Sequence, residues 1–195
     1  MLVGIMGGTF DPIHTGHLIV AERARVAEGL DEVWFMPTYH SPHKPDAPKA
    51  TTLQRWDMVN RALEGNPHFH ATDIEIKKGG ISYSIDTINY LCNQHPDKEF
   101  LYIIGGDMVE YLPKWHRIDE IVRKIRFIGL GRPGYDLKKD TLPLSMRNHV
   151  KMVDMPLVEI SSSAIREERS REGSIRYLVP ERVYDYIEVN RLYGP

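Results

Sequence analysis

Leu2-Val3-Gly4-Ile5-Met6-Gly7-Gly8-Thr9-Phe10-Asp11-Pro12-Ile13-His14-Thr15-Gly16-His17 stands at the start of the chain and decides how the rest is read. Leu2 to Met6 is an apolar run of strand length, and Leu18 to Glu28 repeats its apolar residues at helical spacing. The glycines, proline and aspartate between them have the composition of a turn. Glycines let backbone N–H groups approach a polyphosphate closely, and the first turn of the following helix adds free donors and a favourable dipole. The order strand, glycine loop, helix therefore reads as an anion cradle. His14 and His17 fall one turn apart if the helix starts early, so both can donate hydrogen bonds to charge growing on one phosphate, with Gly16 keeping the space between them open. Two plainer readings fit the same residues: a structural turn with hydrogen-bonded histidines, or a zinc site on H-x-x-H, for which no fixed spacing supplies the further ligands.

Downstream, strand and helix patterns alternate. Glu32 to Met36 reads as a strand, and Pro37 to Ala50, with four prolines, as a long polar loop. Thr51 or Thr52 can cap a helix with Leu53, Trp56, Val59 and Leu63 on one face, ending near Gly65 and the Asn66-Pro67 turn. Phe69 to Ile76 alternates like a strand. Ser84 can cap a helix carrying Ile85, Ile88 and Leu91, and Glu99 to Ile104 returns to an apolar strand that ends in Gly105 and Gly106. Ile118 to Val122 reads as a short helix, Ile125 to Leu130 as a strand, and Gly131 to Ser145 as a loop. His149 to Asp154 and Leu157 to Ile160 read as strand pieces, and two helices follow. This alternation predicts an α/β, doubly wound, mainly parallel sheet with ligands beyond the strand carboxyl ends, near a topological switch point. Residues 1–195 suit one such domain.

Composition narrows the function classes. With 42% hydrophobic and 27% charged residues the chain reads as soluble globular protein without a membrane span, and with no secretory leader the expected location is the cytoplasm. The formal charge of −2, with both signs interspersed, gives no electrostatic footprint for nucleic acid, so any anion needs a local site. Cys92, the single cysteine, excludes an internal disulfide and reads as a small core hydrophobe.

Four further stretches could carry chemistry. Ser41-Pro42-His43-Lys44 places a cation on a restricted loop, as a phosphate contact or simply a solvated lysine. Ser82-Tyr83-Ser84-Ile85-Asp86-Thr87 opens a helix and by itself says only helix cap. Ile104-Gly105-Gly106-Asp107 puts a carboxylate at a strand end, suited to ribose hydroxyls or to capping, and Leu112-Pro113-Lys114-Trp115-His116 offers an aromatic face for packing or stacking. Ile160-Ser161-Ser162-Ser163-Ala164-Ile165-Arg166 joins a helix start to a permanently charged fork, either a phosphate grip or a cap with a surface arginine. Gly129-Leu130-Gly131-Arg132-Pro133-Gly134 satisfies G-x-G-x-x-G, but Pro133 prevents the helix start that a dinucleotide fingerprint needs, so a turn, or a wall of a ligand pocket, is expected there.

Together the first stretch and Ile160 to Arg166 resemble the nucleotidyltransferase superfamily with the H-x-G-H motif. More narrowly, the chain is similar from end to end to the bacterial nicotinate-nucleotide adenylyltransferase family, which makes nicotinic acid adenine dinucleotide from nicotinate mononucleotide and ATP. The resemblance implies a Rossmann-like nucleotidyltransferase fold and an enzyme of NAD biosynthesis. It implies His14, His17, Arg166 and Lys44 as catalytic residues, and Gly7, Gly8, Thr9, Phe10, Gly105, Asp107, Ser162 and Ser163 as further ATP contacts. Lys44 and His43 would meet the mononucleotide phosphate. Thr87 would hold the nicotinate carboxylate with the backbone N–H of His116, and Trp115 would stack on the pyridine ring. Ser84 replaces a commoner threonine and Gly106 a commoner alanine. Mg²⁺ would arrive with ATP, held by its oxygens and water, with no protein ligand named. The partners implied are small molecules, with no nucleic acid or membrane; a homo-oligomer is compatible with the sequence. Rival readings are a sister enzyme using nicotinamide mononucleotide or phosphopantetheine, and a non-catalytic nucleotide-binding module.

Overall fold

The computed structural model describes residues 1–42, 46–131, 142–156 and 158–194. Six strands, β1 (Leu2–Gly8), β2 (Glu32–Pro37), β3 (Phe69–Ala71), β4 (Glu99–Gly105), β5 (Arg126–Gly131) and β6 (Val150–Asp154), form one sheet in the order β3-β2-β1-β4-β5-β6. Every pairing in it is parallel. Parallel neighbours need crossovers, and these are the helices α1 (Thr15–Glu28), α2 (Thr52–Leu63), α3 (Ile74–Lys78), α4 (Ser84–Gln94), α5 (Gly106–Tyr111), α6 (Ile118–Ile121) and α7 (Leu144–Arg147). α8 (Ser162–Ser170) and α9 (Glu181–Val189) follow the sheet. The strand order reverses between β1 and β4, and this is the switch point where a doubly wound, Rossmann-like sheet opens its crevice.

Both faces of the sheet are covered, which is why its strands read as nearly continuous apolar runs. The pleat sends Met6, Val33, Phe35, Leu101, Ile103 and Ile128 into a core shared with Ala21 and Ala24 of α1, Met58 and Val59 of α2, Ile165 of α8 and Ile187 of α9. Val3, Ile5, Met36, Phe100, Tyr102, Ile104 and Phe127 face the other way, onto Ile85, Ile88 and Leu91 of α4 and Val109 of α5. Cys92 is half-buried against this second core. Among the described residues no helix is long and apolar enough to cross a membrane.

The sequence reading needs correction in four places. The expected strand from Phe69 to Ile76 stops at Ala71, because Thr72 N–H spends its last sheet bond on Phe35 O and Asp73 begins α3. The alternation there was deceptive, since Glu75, not its isoleucine neighbours, is the buried residue. Leu53 is exposed, and the buried face of α2 is formed by Arg55, Met58, Val59, Ala62 and Leu63. Residues 158–160 are not strand; Pro156 follows the end of β6 and cannot continue a ladder. α5 was not anticipated, because its six residues, Gly106 to Tyr111, are too short to show a period.

Candidate active site

The signature loop folds at the carboxyl end of β1, where β4 lies alongside. α1 does start early, at Thr15, with His14 as its N-cap residue. His14 N–H donates to Nδ1 of His17 at 3.2 Å, which leaves the His17 proton on Nε2, and the two imidazoles stack with centroids 3.7 Å apart. The histidines are thus brought together at a helix N-terminus, as the spacing required. Phe10, in the left-handed region at φ 49°, is buried in the core with its ring edge-on to His17 at 5.0 Å. Its side chain therefore braces His17; only its backbone is left to face a ligand.

Burial lowers the pKa of His14 from 6.5 to about 4. His14 is then neutral at neutral pH in the free protein, and the fold favours the unprotonated form. The unfolded chain binds the extra proton between pH 6.5 and 4, so stability from this group is fully present above pH 6.5 and is lost as pH falls toward 4. We expect about 2 kcal/mol of lost stability between pH 7 and pH 5 from His14. Urea unfolding of wild type and His14→Gln at both pH values checks this; equal losses in the two proteins would contradict it.

Gly16 does not stand between the rings, which stack directly, but its lack of a side chain leaves room for the His14 ring. A Cβ there would lie 3.0 Å from His14 Nδ1 and 3.1 Å from Cε1, with Ile160 Cβ behind at 3.5 Å. Gly16→Ala should therefore turn the His14 ring and lower turnover about tenfold, while alanine's better helix propensity holds stability within about 1 kcal/mol of wild type. Steady-state rates beside a melting curve would show it, and unchanged turnover would contradict it.

The start of α8 closes on the same loop. Ser161 caps the helix by accepting from Ala164 N–H, Ser162 Oγ donates to Pro12 O at 2.9 Å, and Arg166 Nη1 donates to Asp11 O at 2.7 Å. Ser163 Oγ accepts from Arg166 Nη2 at 3.3 Å. Arg166 thus belongs to the loop that presents the histidines. The hydroxyls of Ser162 and Ser163 serve first to hold that loop and that guanidinium.

Sequence reasoning missed a buried network beneath the loop. The Asp11 carboxylate accepts from Lys49 N–H at 2.8 Å, Ala50 N–H at 3.0 Å and Tyr193 Oη at 2.8 Å, with Arg166 Nη1 at 3.9 Å. Beside it Arg55, only 1% exposed, donates to Thr9 O at 2.7 Å and to Tyr39 O at 3.4 Å. Burial pulls the Arg55 guanidinium below its ordinary pKa, and Asp11 opposes that pull as the counter-charge. Arg55 had a signal, a charge on the apolar face of a helix; Tyr193, 182 positions from its partner, had none.

A second pocket, about 240 Å³, lies to the side, lined by Pro42, Tyr83, Ser84, Tyr111, Lys114, Trp115 and His116. It unites three of the stretches singled out from the sequence. Trp115 is mostly buried, edge-on to Tyr102 and Phe127 at 5.6 and 5.9 Å, so it is a core residue that also forms a pocket wall. The His116 ring lies 4.7 Å from that of Tyr83. Thr87 is buried, and its hydroxyl donates to Glu75 Oε1 at 2.8 Å. Gly105 caps α5, and the Asp107 carboxylate folds back over it, 2.7 Å from where a Cβ would stand.

His43 and Lys44 lie outside the described residues, as does the G-x-G-x-x-G stretch beyond Gly131. Gly129 of that stretch sits within β5, where Val109 and Met152 approach too closely for any side chain. No three His, Cys, Asp or Glu side chains converge as metal ligands among the described residues.

With this geometry in view, comparisons with known proteins are specific. The cytidylyltransferase-like family model matches residues 5–168. A probable nicotinate-nucleotide adenylyltransferase of Oceanobacillus iheyensis is 46% identical across 98% of this chain and 96% of its own length. The nicotinate-nucleotide adenylyltransferase of Bacillus subtilis is 40% identical across 98% and 97%. In fold, the chain is similar to the Plasmodium falciparum nicotinic acid mononucleotide adenylyltransferase complexed with NaAD, with a TM-score of 0.81 at 20% identity, covering 98% of this chain and 97% of that one.

Proposed function

The chain belongs to the cytidylyltransferase-like family and, within it, to the nicotinate-nucleotide adenylyltransferases; we propose that it joins nicotinate mononucleotide to the AMP part of ATP, releasing pyrophosphate, in NAD biosynthesis in the cytoplasm. The observation that carries this reading is the stacked pair His14 and His17 at the start of α1, with Arg166 hydrogen-bonded to the same loop. Such a cluster suits a phosphorus centre gaining negative charge.

In the reaction a 5′-phosphate oxygen of the mononucleotide forms a bond to the α-phosphorus of ATP, and the bridging bond to the β-phosphate breaks. The nucleophile is anionic at neutral pH, so no strong general base is needed. Catalysis then consists of aligning two polyanions and neutralising their charge. His17, with its proton on Nε2, donates to a phosphate oxygen, and His14, neutral in the free site, gains proton affinity beside the triphosphate. Arg166 contributes a fixed positive fork, and Lys44 meets the mononucleotide phosphate. Mg²⁺ would be carried in by ATP oxygens and water.

The remaining ATP contacts fall to backbone at Gly7, Gly8, Thr9 and Phe10, to Gly105 and Asp107 at the end of β4, and to the start of α8 at Ser162 and Ser163. The acceptor occupies the pocket of Trp115 and His116, and the family resemblance assigns Thr87 and His43 to the same ligand. Incubation with ATP, Mg²⁺ and nicotinate mononucleotide should yield equimolar pyrophosphate and dinucleotide. ATP binding without either product would reduce the chain to a nucleotide-binding module.

A further inference from the structure

We propose that Glu75 is a positioning residue for the acceptor pocket, holding Thr87, and through it the start of α4, in place and fixing the direction of the Thr87 hydroxyl. This deepens the proposed function and rests on it.

Glu75 is 2% exposed on a five-residue helix. A carboxyl in such a place carries a desolvation cost that an apolar residue would avoid, so its contacts are the reason to ask what it does. Lys78, the cation on this helix whose charge acts on Glu75, is itself paired with Asp86 at 2.5 Å. What Glu75 touches is the framework of the pocket. Its Oε1 accepts a hydrogen bond from the Thr87 hydroxyl at 2.8 Å, tying α3 to α4. The turn between them is held also by Ser82, whose Oγ accepts from Tyr39 N–H at 3.1 Å and whose N–H donates to His40 O at 2.9 Å. The Glu75–Thr87 bond therefore spans the α3–α4 turn that supplies Tyr83 and Ser84 to the pocket.

The Thr87 hydroxyl is affected most. Its hydrogen is committed to Glu75, so toward a ligand it can offer only a lone pair. Donors for an acceptor carboxylate must then come from the residues that line the pocket, and the buried threonine acts through the position it is held in. Glu75 is placed to set that position.

The test compares Glu75→Ala and Glu75→Gln with wild type in steady state, reading KM for nicotinate mononucleotide, KM for ATP and kcat, with calorimetric Kd for the mononucleotide. Glu75→Ala should raise KM and Kd for the mononucleotide about tenfold and leave KM for ATP within about twofold. Glu75→Gln keeps an acceptor oxygen for Thr87 and should recover most of the loss. Val183→Ala, in α9 across the sheet, serves as a destabilised control and should move neither constant. If Glu75→Ala is too unstable to assay, Glu75→Gln and Thr87→Val carry the test: a near-wild-type KM for the mononucleotide in the first with a several-fold rise in the second supports the proposal, and no rise in the second overturns it. Equal changes in both KM values, no change in either, or a comparable acceptor effect from Val183→Ala would also overturn it. Absence of pyrophosphate release by wild type would instead remove the proposed function itself.

Discussion

His14→Ala and His17→Ala are each expected to lower turnover by about 10²- to 10³-fold while leaving the protein folded. Loss of one preorganised donor to a developing oxyanion has that size in other enzymes. His14 caps α1 through its backbone, and Thr15 N–H and Oγ1 still bond to Leu178 O and Tyr177 O in either variant, so the start of the helix stays anchored. The imidazoles are stacked at 3.7 Å, so removing one also loosens the other, and the double variant should fall well short of the product of the single losses. Pyrophosphate release at saturating substrates, with circular dichroism as the folding control, measures this. Full turnover in both variants would remove the histidines from the chemistry.

Asp11→Ala should be the most destabilising single change at the site, by about 3–5 kcal/mol. It would leave the buried N–H of Ala50, the partly buried N–H of Lys49 and the Tyr193 hydroxyl without their acceptor. It would also leave the nearly fully buried Arg55 without its counter-charge. Tyr193→Phe removes only one arm and should cost about 1 kcal/mol. Urea unfolding of the two variants orders them directly. A loss under about 0.5 kcal/mol for Asp11→Ala would mean that the network does not hold the loop. Turnover should fall as well, because Asp11 links the loop that presents His14 and His17 to the end of the proline-rich segment and stands beside Arg166.

Much of this was legible in the chain because the crucial signals are local. The apolar run to Met6, the glycines and the H-x-x-H spacing placed both histidines at a helix start, and the serines before Ile165 and Arg166 marked the start of a second helix. Strand and helix alternation gave the sheet class, since parallel strands must be joined by crossovers. What remained hidden depends on tertiary contact. Glu75 broke the strand reading because burial of a carboxyl contradicts any hydrophobic pattern. The partners of Asp11 lie 38, 39 and 182 positions away and share no period. Trp115 showed why its two readings could not be separated from sequence: it packs in the core against Tyr102 and Phe127 and also lines the pocket.

The identity of the acceptor is tested most directly by the rate of pyrophosphate release from ATP and Mg²⁺ with nicotinate mononucleotide and nicotinamide mononucleotide offered separately. Release should be faster with the nicotinate form. Equal or reversed preference would keep the nucleotidyltransferase chemistry but assign the pocket of Trp115 and His116 to another acceptor.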